Sequence, residues 1–214
     1  MRFLVTAGPT REPIDPVRFL SNRSSGKMGY AVAVAARDAG HAVTLISGPV
    51  AIAPPAAVNV VRVITAAEMF DAVHAHIAAT DVLVMCAAVA DFTPARAATQ
   101  KIKKDARAQF VLELVPTRDI LSSLRDIPPP RPLIVGFAAE TENVAEFARK
   151  KLREKNCDLI VANDVSRMDT GFESDDNALT LFFASGETRV LPRASKQKLA
   201  ARLVEICEEL KKRN

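Results

Sequence analysis

The stretch KMGYAVAVAARDAGHAVTLIS, residues 27–47, decides the fold class. Its first part predicts a helix over about residues 27–39 that Gly40 ends, and its second part predicts an apolar, β-branched strand over residues 42–47. Residues 2–6 form another short apolar run ahead of this helix. Two strands that are apolar on both faces, joined by a helix, are typical of a βαβ unit in a parallel sheet.

The same alternation continues outward from this unit. Further strands are predicted over residues 58–64, 81–87, 133–137 and 158–163, and residues 109–115 alternate between apolar and polar. Helices are predicted from the capping box that begins at Thr65, over residues 117–125 and over residues 142–155. Residues 178–184 and 188–191 predict a hairpin, and residues 195–212 predict an amphipathic helix. The predicted fold is a Rossmann-like α/β fold, a doubly wound, mostly parallel sheet with a C-terminal antiparallel hairpin.

Length and composition narrow the class of protein. The 214 residues suit one domain, which we expect to span residues 1–214. The net charge of +4 is scattered along the chain and Trp is absent, so we expect no nucleic-acid partner. Cys86, Cys157 and Cys207 include no close pair, which argues against a disulfide framework or a cysteine metal site and favours a reduced, cytoplasmic setting. No apolar run approaches the roughly 20 residues of a membrane span, so we expect no membrane partner.

The segment FLSNRSSGKMGYAVA, residues 19–33, places small and polar residues directly before the predicted helix, where backbone N–H groups can bind an anion. It is not a Walker loop, because Ser21 stands where that motif requires Gly and Met28 follows Lys27. It is not a dinucleotide fingerprint either, because the glycines do not follow the first strand in the required spacing. The Pro-containing loop of about twenty residues that contains most of this segment is long enough to indicate a functional role.

Small or polar residues follow every predicted parallel strand. They are AGPT at 7–10, SGP at 47–49, AAVAD at 87–91, AAET at 138–141 and NDVS at 163–166. In an open parallel sheet, ligands bind at the carboxyl ends of the strands, where the strand order reverses. The sequence therefore predicts a nucleotide-like ligand that lies against backbone at this edge of the sheet.

Taken together, these stretches resemble a known family. TAGPTREPIDPVRFLSNRSSGKMGYAVA (6–33), CAAVADF (86–92), KIKK (101–104), GFAAET (136–141) and ANDVS (162–166) are similar, in order and separation, to the bacterial phosphopantothenoylcysteine synthetases. The resemblance implies a ligase of coenzyme A biosynthesis that joins 4′-phosphopantothenate to L-cysteine. It also implies CTP, with Mg²⁺, as the activating nucleotide: an acyl-cytidylate forms with release of pyrophosphate, and cysteine then displaces CMP.

The resemblance implies two catalytic residues. Lys101 would neutralise the phosphates and the developing charge, and Asn22 would orient the acyl group of the acyl-cytidylate. From the residues alone, Lys101 also suits a solvated basic loop and Asn22 a local turn. Lys103 and Lys104 stay undecided, because a flexible loop needs only one lysine at the phosphates.

The resemblance places nucleotide contacts in both halves of the chain. In the first half they are Gly8, Ser24, Ser25, Gly26, Met85, Cys86, Ala87 and Asp91, and Asp91 is also the candidate Mg²⁺ ligand. In the second half they are Asp119, Ile120, Phe137, Lys151 and Lys155. Phe137 suits either a flat partner for the base or a core position. Related synthetases read Asn-Pro-Asp-Ile where this chain has Thr117-Arg118-Asp119-Ile120, so side-chain contacts from Thr117 and Arg118 are not carried over.

The resemblance also bears on partners. Such domains often follow a flavin-dependent phosphopantothenoylcysteine decarboxylase, to which no stretch of this chain corresponds, so we expect no flavin here. Bacterial synthetases of this kind are dimers, so we expect a homodimer, with the hairpin over residues 178–191 as a candidate interface edge.

Two other readings compete with the synthetase. A nicotinamide-dependent reductase would need an acidic residue after the second strand, where this chain has Ser47-Gly48-Pro49, and the sole tyrosine, Tyr30, lacks a lysine four residues later. A non-catalytic nucleotide sensor on the same fold would be expected to lose Lys101 or Asn22, and both are present. Pyrophosphate release distinguishes a sensor from a synthetase.

Overall fold

Strands and helices alternate along the chain. The computed structural model describes residues 1–104, 109–140, 143–164 and 174–213. The elements in this part of the chain are β1 Arg2–Ala7, β2 Arg11–Pro13, β3 Phe19–Ser21, α1 Lys27–Asp38, β4 Ala42–Ser47, β5 Asn59–Arg62, α2 Ala66–Ile77, β6 Val82–Met85, β7 Phe92–Pro94, β8 Leu114–Pro116, α3 Ile120–Leu124, β9 Leu133–Glu140, α4 Val144–Glu154, β10 Leu159–Asp164, β11 Asp176–Phe183, β12 Thr188–Ser195 and α5 Lys196–Arg213.

Eight strands of the described chain form one sheet in the order β12-β11-β10-β9-β6-β1-β4-β5. From β5 across to β10 neighbouring strands run parallel, and β11 and β12 add an antiparallel edge. The chain winds from β1 outward to β5 and then continues with β6 on the other side of β1. The predicted doubly wound, mostly parallel sheet with its C-terminal hairpin is confirmed, and the strand order reverses between β1 and β6.

Alternate side chains of each strand enter two hydrophobic cores, one on each face of the sheet. Val84 and Val135 pack in the core beneath α1 and α5. Leu83 and Ile134 pack in the core beneath α2, α3 and α4. Any ligand at the strand ends therefore has two flanks, called here the α1/α5 side and the α3/α4 side.

Helix α1 lies very close to β1. A Cβ atom at Gly29 would lie 2.6 Å from the Ala7 Cβ and 2.9 Å from the Thr6 carbonyl oxygen. These distances are too short for any real contact, so only glycine permits this approach. The tight packing fixes the start of α1 relative to the end of β1.

Some predicted elements are shorter or displaced. Residues 109–115 do not add a strand to the main sheet; instead β8 pairs with β7, and β2 pairs with β3 inside the long loop after β1. Helix α3 begins at Ile120 rather than at residue 117, because Asp119 is its N-cap and accepts a hydrogen bond from Ser122 N at 2.9 Å. Helix α4 begins at Val144, and the predicted start at residue 142 lies outside the described residues.

Within residues 1–104, 109–140, 143–164 and 174–213, no helix has the combination of length and hydropathy needed to cross a bilayer.

Candidate functional site

A cavity of about 850 Å³ opens at the carboxyl ends of β6, β9 and β10, beside the first turn of α1. It lies next to the point where the strand order reverses, the position expected for a ligand in this fold. Most predicted site residues line it: Asn22, Ser24, Ser25, Gly26, Met85, Cys86, Ala87, Asp91, Asp119, Ile120, Phe137, Lys151 and Lys155. Gly8 and Lys101 do not line it.

Gly26 shapes the helix start that faces the cavity. It is the N-cap of α1 and has φ 79°, in the left-handed region that favours glycine. A Cβ atom on Gly26 would lie 2.7 Å from Val50 Cγ1 and 3.4 Å from the Cα of Gly8. Gly8 therefore packs behind Gly26, while Ser24, Ser25 and the first turn of α1 line the cavity, where a helix N-terminus offers N–H groups to an anion.

Asn22 lies where the loop after β3 meets the segment after β6. Its Nδ2 donates a hydrogen bond to the Ala88 carbonyl oxygen at 3.1 Å. Thr10 N donates to the same oxygen at 3.2 Å, and Thr10 Oγ1 accepts from Ala90 N at 3.0 Å. These bonds hold the Asn22 amide at the edge of the cavity.

Lys101 is exposed, and the structure does not bring it together with the other predicted residues. The next residue is nevertheless fixed: Ile102 N donates to Asp15 Oδ2 at 3.1 Å, and the Ile102 carbonyl accepts from Arg18 Nη2 at 2.9 Å. Hydrogen bonds from the Arg18 guanidinium hold the pKa of the buried Asp15 carboxyl well below its usual range. An ion pair between the buried Asp15 and the exposed Arg18, in the turn between β2 and β3, thus anchors the residue that follows Lys101.

Asp91 is an exposed carboxylate at the cavity lining. Among the described residues, no group of three or more His, Cys, Asp or Glu side chains is placed to hold a metal ion. Mg²⁺ that accompanies a nucleotide needs only one or two protein carboxylates, because phosphates and water supply the other ligands. A single Asp91 is therefore compatible with a nucleotide-bound Mg²⁺ and not with an all-protein metal cage.

Lys151 of α4 and Lys155, the C-cap residue of that helix, line the α3/α4 side of the cavity. Lys151 Nζ donates to the Phe137 carbonyl oxygen at 2.8 Å. Lys155 Nζ contacts Asp119 Oδ2 and Ser122 Oγ, each at 2.7 Å. Although burial opposes it, hydrogen bonding to Lys155 and Ser122 lowers the pKa of Asp119. The two predicted lysines thus have separate partners, and Lys155 forms an ion pair with the predicted Asp119.

Cys86 and Phe137 extend two apolar rows into the cavity. Cys86 follows Val82 and Val84 on the same face of β6, and the Phe137 ring is partly buried against the same core. Phe137 thus combines the two predicted alternatives, since it packs on the core and also borders the cavity. Burial raises the pKa of the Cys86 thiol to about 12, so it is protonated at neutral pH.

Three polar lining residues, Asn163, Asn177 and Lys196, are not among the predicted contacts, although Asn163 begins the stretch NDVS that follows a predicted strand, and Lys27 also lines the cavity. Asn163 follows Leu159 and Val161 on the same face of β10, so a polar residue at a core-facing position was a usable signal. Lys196 begins α5 and is buried, and no local pattern distinguishes it from the other lysines of that helix.

Thr117 and Arg118, where the family pattern differs, have clear partners. Thr117 Oγ1 donates to the Ala90 carbonyl oxygen at 2.7 Å. Arg118 pairs with Asp71 Oδ1 at 2.7 Å, and its guanidinium carbon lies 3.9 Å from the centroid of the Phe70 ring. Arg118 is thus bonded to α2, and Thr117 joins the cavity segment to the residues before α3.

A doubly wound sheet with a cavity beside its reversal point is the arrangement of nucleotide-binding α/β proteins. The chain belongs to the family of the DNA/pantothenate metabolism flavoprotein C-terminal domain, whose model matches residues 1–210. It is 49% identical over 208 residues to the coenzyme A biosynthesis bifunctional protein CoaBC of Vibrio vulnificus. The matched region covers 97% of this chain and 52% of that protein. CoaBC of Escherichia coli is 48% identical over 207 residues, or 96% of this chain and 51% of that protein. The chain thus spans about half the length of these relatives.

Solved structures agree with this assignment. The crystal structure of the C-terminal domain of the bifunctional protein CoaBC has 43% sequence identity and a TM-score of 0.85, and the match covers 100% of this chain and 96% of that chain. A Cab2 mutant in complex with phosphopantothenate-cysteine has 15% identity and a TM-score of 0.78, covering 98% of this chain and 87% of that chain. At that identity the likeness concerns the fold alone.

Proposed function

We propose that residues 1–214 form a single domain that ligates 4′-phosphopantothenate to L-cysteine with CTP. The observation that carries this proposal is one cavity that gathers Asn22, the Ser24–Gly26 turn, Asp91, Lys151 and Lys155. The 43% identity to the C-terminal domain of CoaBC, over the whole of this chain, supports it from outside the cavity.

In the first half-reaction, the carboxylate of 4′-phosphopantothenate attacks the α-phosphorus of CTP and pyrophosphate leaves. The approach of two anions needs fixed positive charge and N–H donors. The first turn of α1 supplies donors on one flank, and Lys151 and Lys155 supply charge on the other. Bound at Asp91, Mg²⁺ would neutralise phosphate charge. We infer that Lys101 moves to the phosphates when the substrates are bound, although the neighbouring Ile102 is hydrogen-bonded to Asp15 and Arg18.

In the second half-reaction, the neutral amine of cysteine attacks the acyl carbon of the acyl-cytidylate. CMP leaves with the electron pair of the broken acyl–oxygen bond, and the nitrogen loses a proton as the amide forms. The Asn22 amide, held at the cavity edge through Ala88, can donate to the acyl oxygen and orient it for this attack.

Pyrophosphate release tests the proposal. The protein with CTP, Mg²⁺ and 4′-phosphopantothenate, but without cysteine, should release a burst of pyrophosphate, and added cysteine should then release CMP and form the amide. ATP in a parallel reaction should release less pyrophosphate than CTP at the same concentration. Absence of pyrophosphate with either nucleotide would contradict the proposal and favour the nucleotide sensor.

Lys101→Gln tests the catalytic assignment. Removal of one charge at a phosphoryl group should slow pyrophosphate release by about 100-fold or more while the thermal unfolding temperature stays unchanged. Lys103→Gln and Lys104→Gln are matched controls, because both lysines are exposed on the same loop and both substitutions remove the same charge. Equal losses of the pyrophosphate-release rate in all three variants would mean that the loop acts through its general positive charge and not through Lys101 in particular.

Asn22→Asp should in turn slow amide formation, because a carboxylate cannot donate to the acyl oxygen.

We also propose a cytoplasmic homodimer. The pairs β2–β3 and β7–β8, with the residues that precede β8, carry exposed apolar side chains, namely Val17, Phe19, Phe92, Phe110 and Leu114. On the predicted hairpin, the edge strand β12 has the exposed Val190 between the charged Arg189 and Arg193. The β2–β3 and β7–β8 pairs therefore offer a second copy of the chain a more apolar surface than the hairpin does. Sedimentation of Phe110→Ser and Val190→Ser should show dissociation of the dimer only for Phe110→Ser.

A decarboxylase domain, fused or separate, is the partner implied by the bifunctional relatives.

A further inference from the structure

The α1/α5 side of the cavity ends in a polar group of side chains that the proposed nucleotide contacts do not use. The group consists of Asn163, Asn177, Lys27 and Lys196, and is called here the Asn163 subsite. Asn163 continues the row of Leu159 and Val161, which lies in the hydrophobic core under α1 and α5. The subsite is therefore built on the core face of the sheet and not on a surface loop.

Asn163 carries an unsatisfied acceptor. The residue is 8% exposed, and its Oδ1 is buried with no hydrogen-bond partner among the described residues. Buried polar atoms of native proteins nearly always have a partner, because an unpaired one costs free energy. Because Asn163 is also a lining residue of the cavity, an N–H or O–H donor on a ligand would supply the missing partner.

Two lysines line the same cavity as this acceptor. Lys196 is 4% exposed, and its Nζ donates to the Ser174 carbonyl oxygen. Lys27 Nζ pairs with the exposed Asp175 Oδ1 at 2.7 Å. Burial, and next to it the charge of Lys27, lower the pKa of Lys196. An anionic ligand group placed against the two lysines would favour the charged form of Lys196.

We propose that the Asn163 subsite binds the main-chain end of L-cysteine, with its amine donating to Asn163 Oδ1 and its carboxylate facing Lys196 and Lys27. An α-amino acid carries an N–H donor and an anion on the same carbon atom, which matches an acceptor and two cations that line the same cavity. A phosphate group fits less well, because its oxygens would repel Asn163 Oδ1. The apolar surface of Cys86 and Phe137 next to the subsite suits the thiol-bearing side chain. This inference rests on the proposed ligase function.

The test separates the two half-reactions. Amide formation is measured against cysteine concentration, and pyrophosphate release is measured without cysteine, for Asn163→Ala and Lys196→Met. Both variants should raise KM for cysteine at least tenfold, while pyrophosphate release and KM for CTP stay within twofold of wild type. Lys198→Met, an exposed lysine on the same helix, is the matched control and should change neither value.

A substrate analogue distinguishes contact from structural support. Cysteamine lacks the carboxylate, so wild type should prefer L-cysteine over it, and Lys196→Met should lose most of that preference while Lys198→Met keeps it. If Lys196→Met fails to fold, Lys196→Arg replaces it: a retained charge should keep the preference for L-cysteine. A lasting preference in Lys196→Met, or a raised KM for CTP and slower pyrophosphate release instead, would overturn the inference and assign the subsite to nucleotide phosphates. A wild-type protein that releases no pyrophosphate overturns the proposed function itself.

Discussion

The two flanks of the cavity hold their lysines in different ways. On the α3/α4 side, Lys151 and Lys155 reach in from the surface of α4 and bond to the Phe137 carbonyl and to the half-exposed Asp119. On the α1/α5 side, Lys196 is buried at the start of its helix and lines the same cavity as Asn163, whose Oδ1 has no hydrogen-bond partner in the described part of the chain. Long surface lysines can exchange one partner for another at little cost, whereas a buried ammonium is fixed where it lies.

This difference suits two kinds of ligand. A nucleotide whose pyrophosphate must depart is served by lysines that can follow it and then return to Asp119 and Phe137. A small amino acid that must present its amine in one direction is served by groups fixed in the core. Packing, nucleotide affinity and acid sensitivity should therefore respond differently on the two sides.

The largest expected effect comes from packing, and it compares Gly29→Ala with Gly136→Ala. A Cβ at Gly29 would meet Thr6 O and Ala7 Cβ, which belong to the fixed strand β1, whereas a Cβ at Gly136 would meet Ile160 Cδ1 at 2.8 Å, the mobile end of a side chain. Gly29→Ala should lower the free energy of unfolding by about 1–3 kcal/mol. Gly136→Ala should change it by less than about 1 kcal/mol, because a glycine inside a strand is itself unfavourable. Urea unfolding of both variants measures the two changes in the free energy of unfolding. Equal losses would mean that the packing on the α1/α5 side is no more rigid than the packing on the α3/α4 side.

Nucleotide affinity should distinguish the lysines of α4. Lys151→Met and Lys155→Met should each raise KM for CTP about tenfold, or ~1.4 kcal/mol, and leave KM for cysteine unchanged. Lys150→Met is the matched control on the same helix: its Nζ is 4.0 Å from Glu154 Oε1, the side chain is exposed, and it should change KM for CTP less than about twofold. Steady-state kinetics with each substrate varied in turn measures the effect. A raised KM for cysteine in Lys155→Met would remove the proposed division between the two sides.

Sequence patterns predicted the elements of the sheet more closely than their ends. The apolar, β-branched run over residues 42–47 became β4 with the same bounds, because a central parallel strand is apolar on both faces. Helix α3 starts late because Asp119 caps it, and a cap competes with local helix propensity. The alternation over residues 109–115 indicated a strand, but only β8 formed, since pairing with β7 is a tertiary event.

The site residues also fall into those that local sequence patterns predict and those that depend on tertiary contacts. Asn22, Ser24 and Gly26 lie at the cavity because they follow a strand or begin a helix, which a sequence reveals. Lys101 is displaced from it because its loop is anchored by the Asp15–Arg18 pair, a contact between segments far apart in sequence. Lys196 was missed for the same reason, since its importance arises only where α5 meets β10 and β11.

The smallest expected effect concerns acid sensitivity on the α3/α4 side. Asp119→Asn keeps the N-cap of α3, because the amide oxygen can accept from Ser122 N, but removes the charge beside Lys155. The native pKa of Asp119 is lowered, since hydrogen bonds from Lys155 and Ser122 outweigh the opposing burial. Its charge therefore contributes stability above its ordinary pKa of about 4, and this contribution is lost as the pH falls through the lowered native value. The variant should be less stable than wild type by under ~1 kcal/mol at neutral pH, because the pair is partly exposed. Urea unfolding across a pH series should show this difference shrinking below about pH 4; a difference that stayed constant would mean that the substitution disturbs the cap rather than the charge pair.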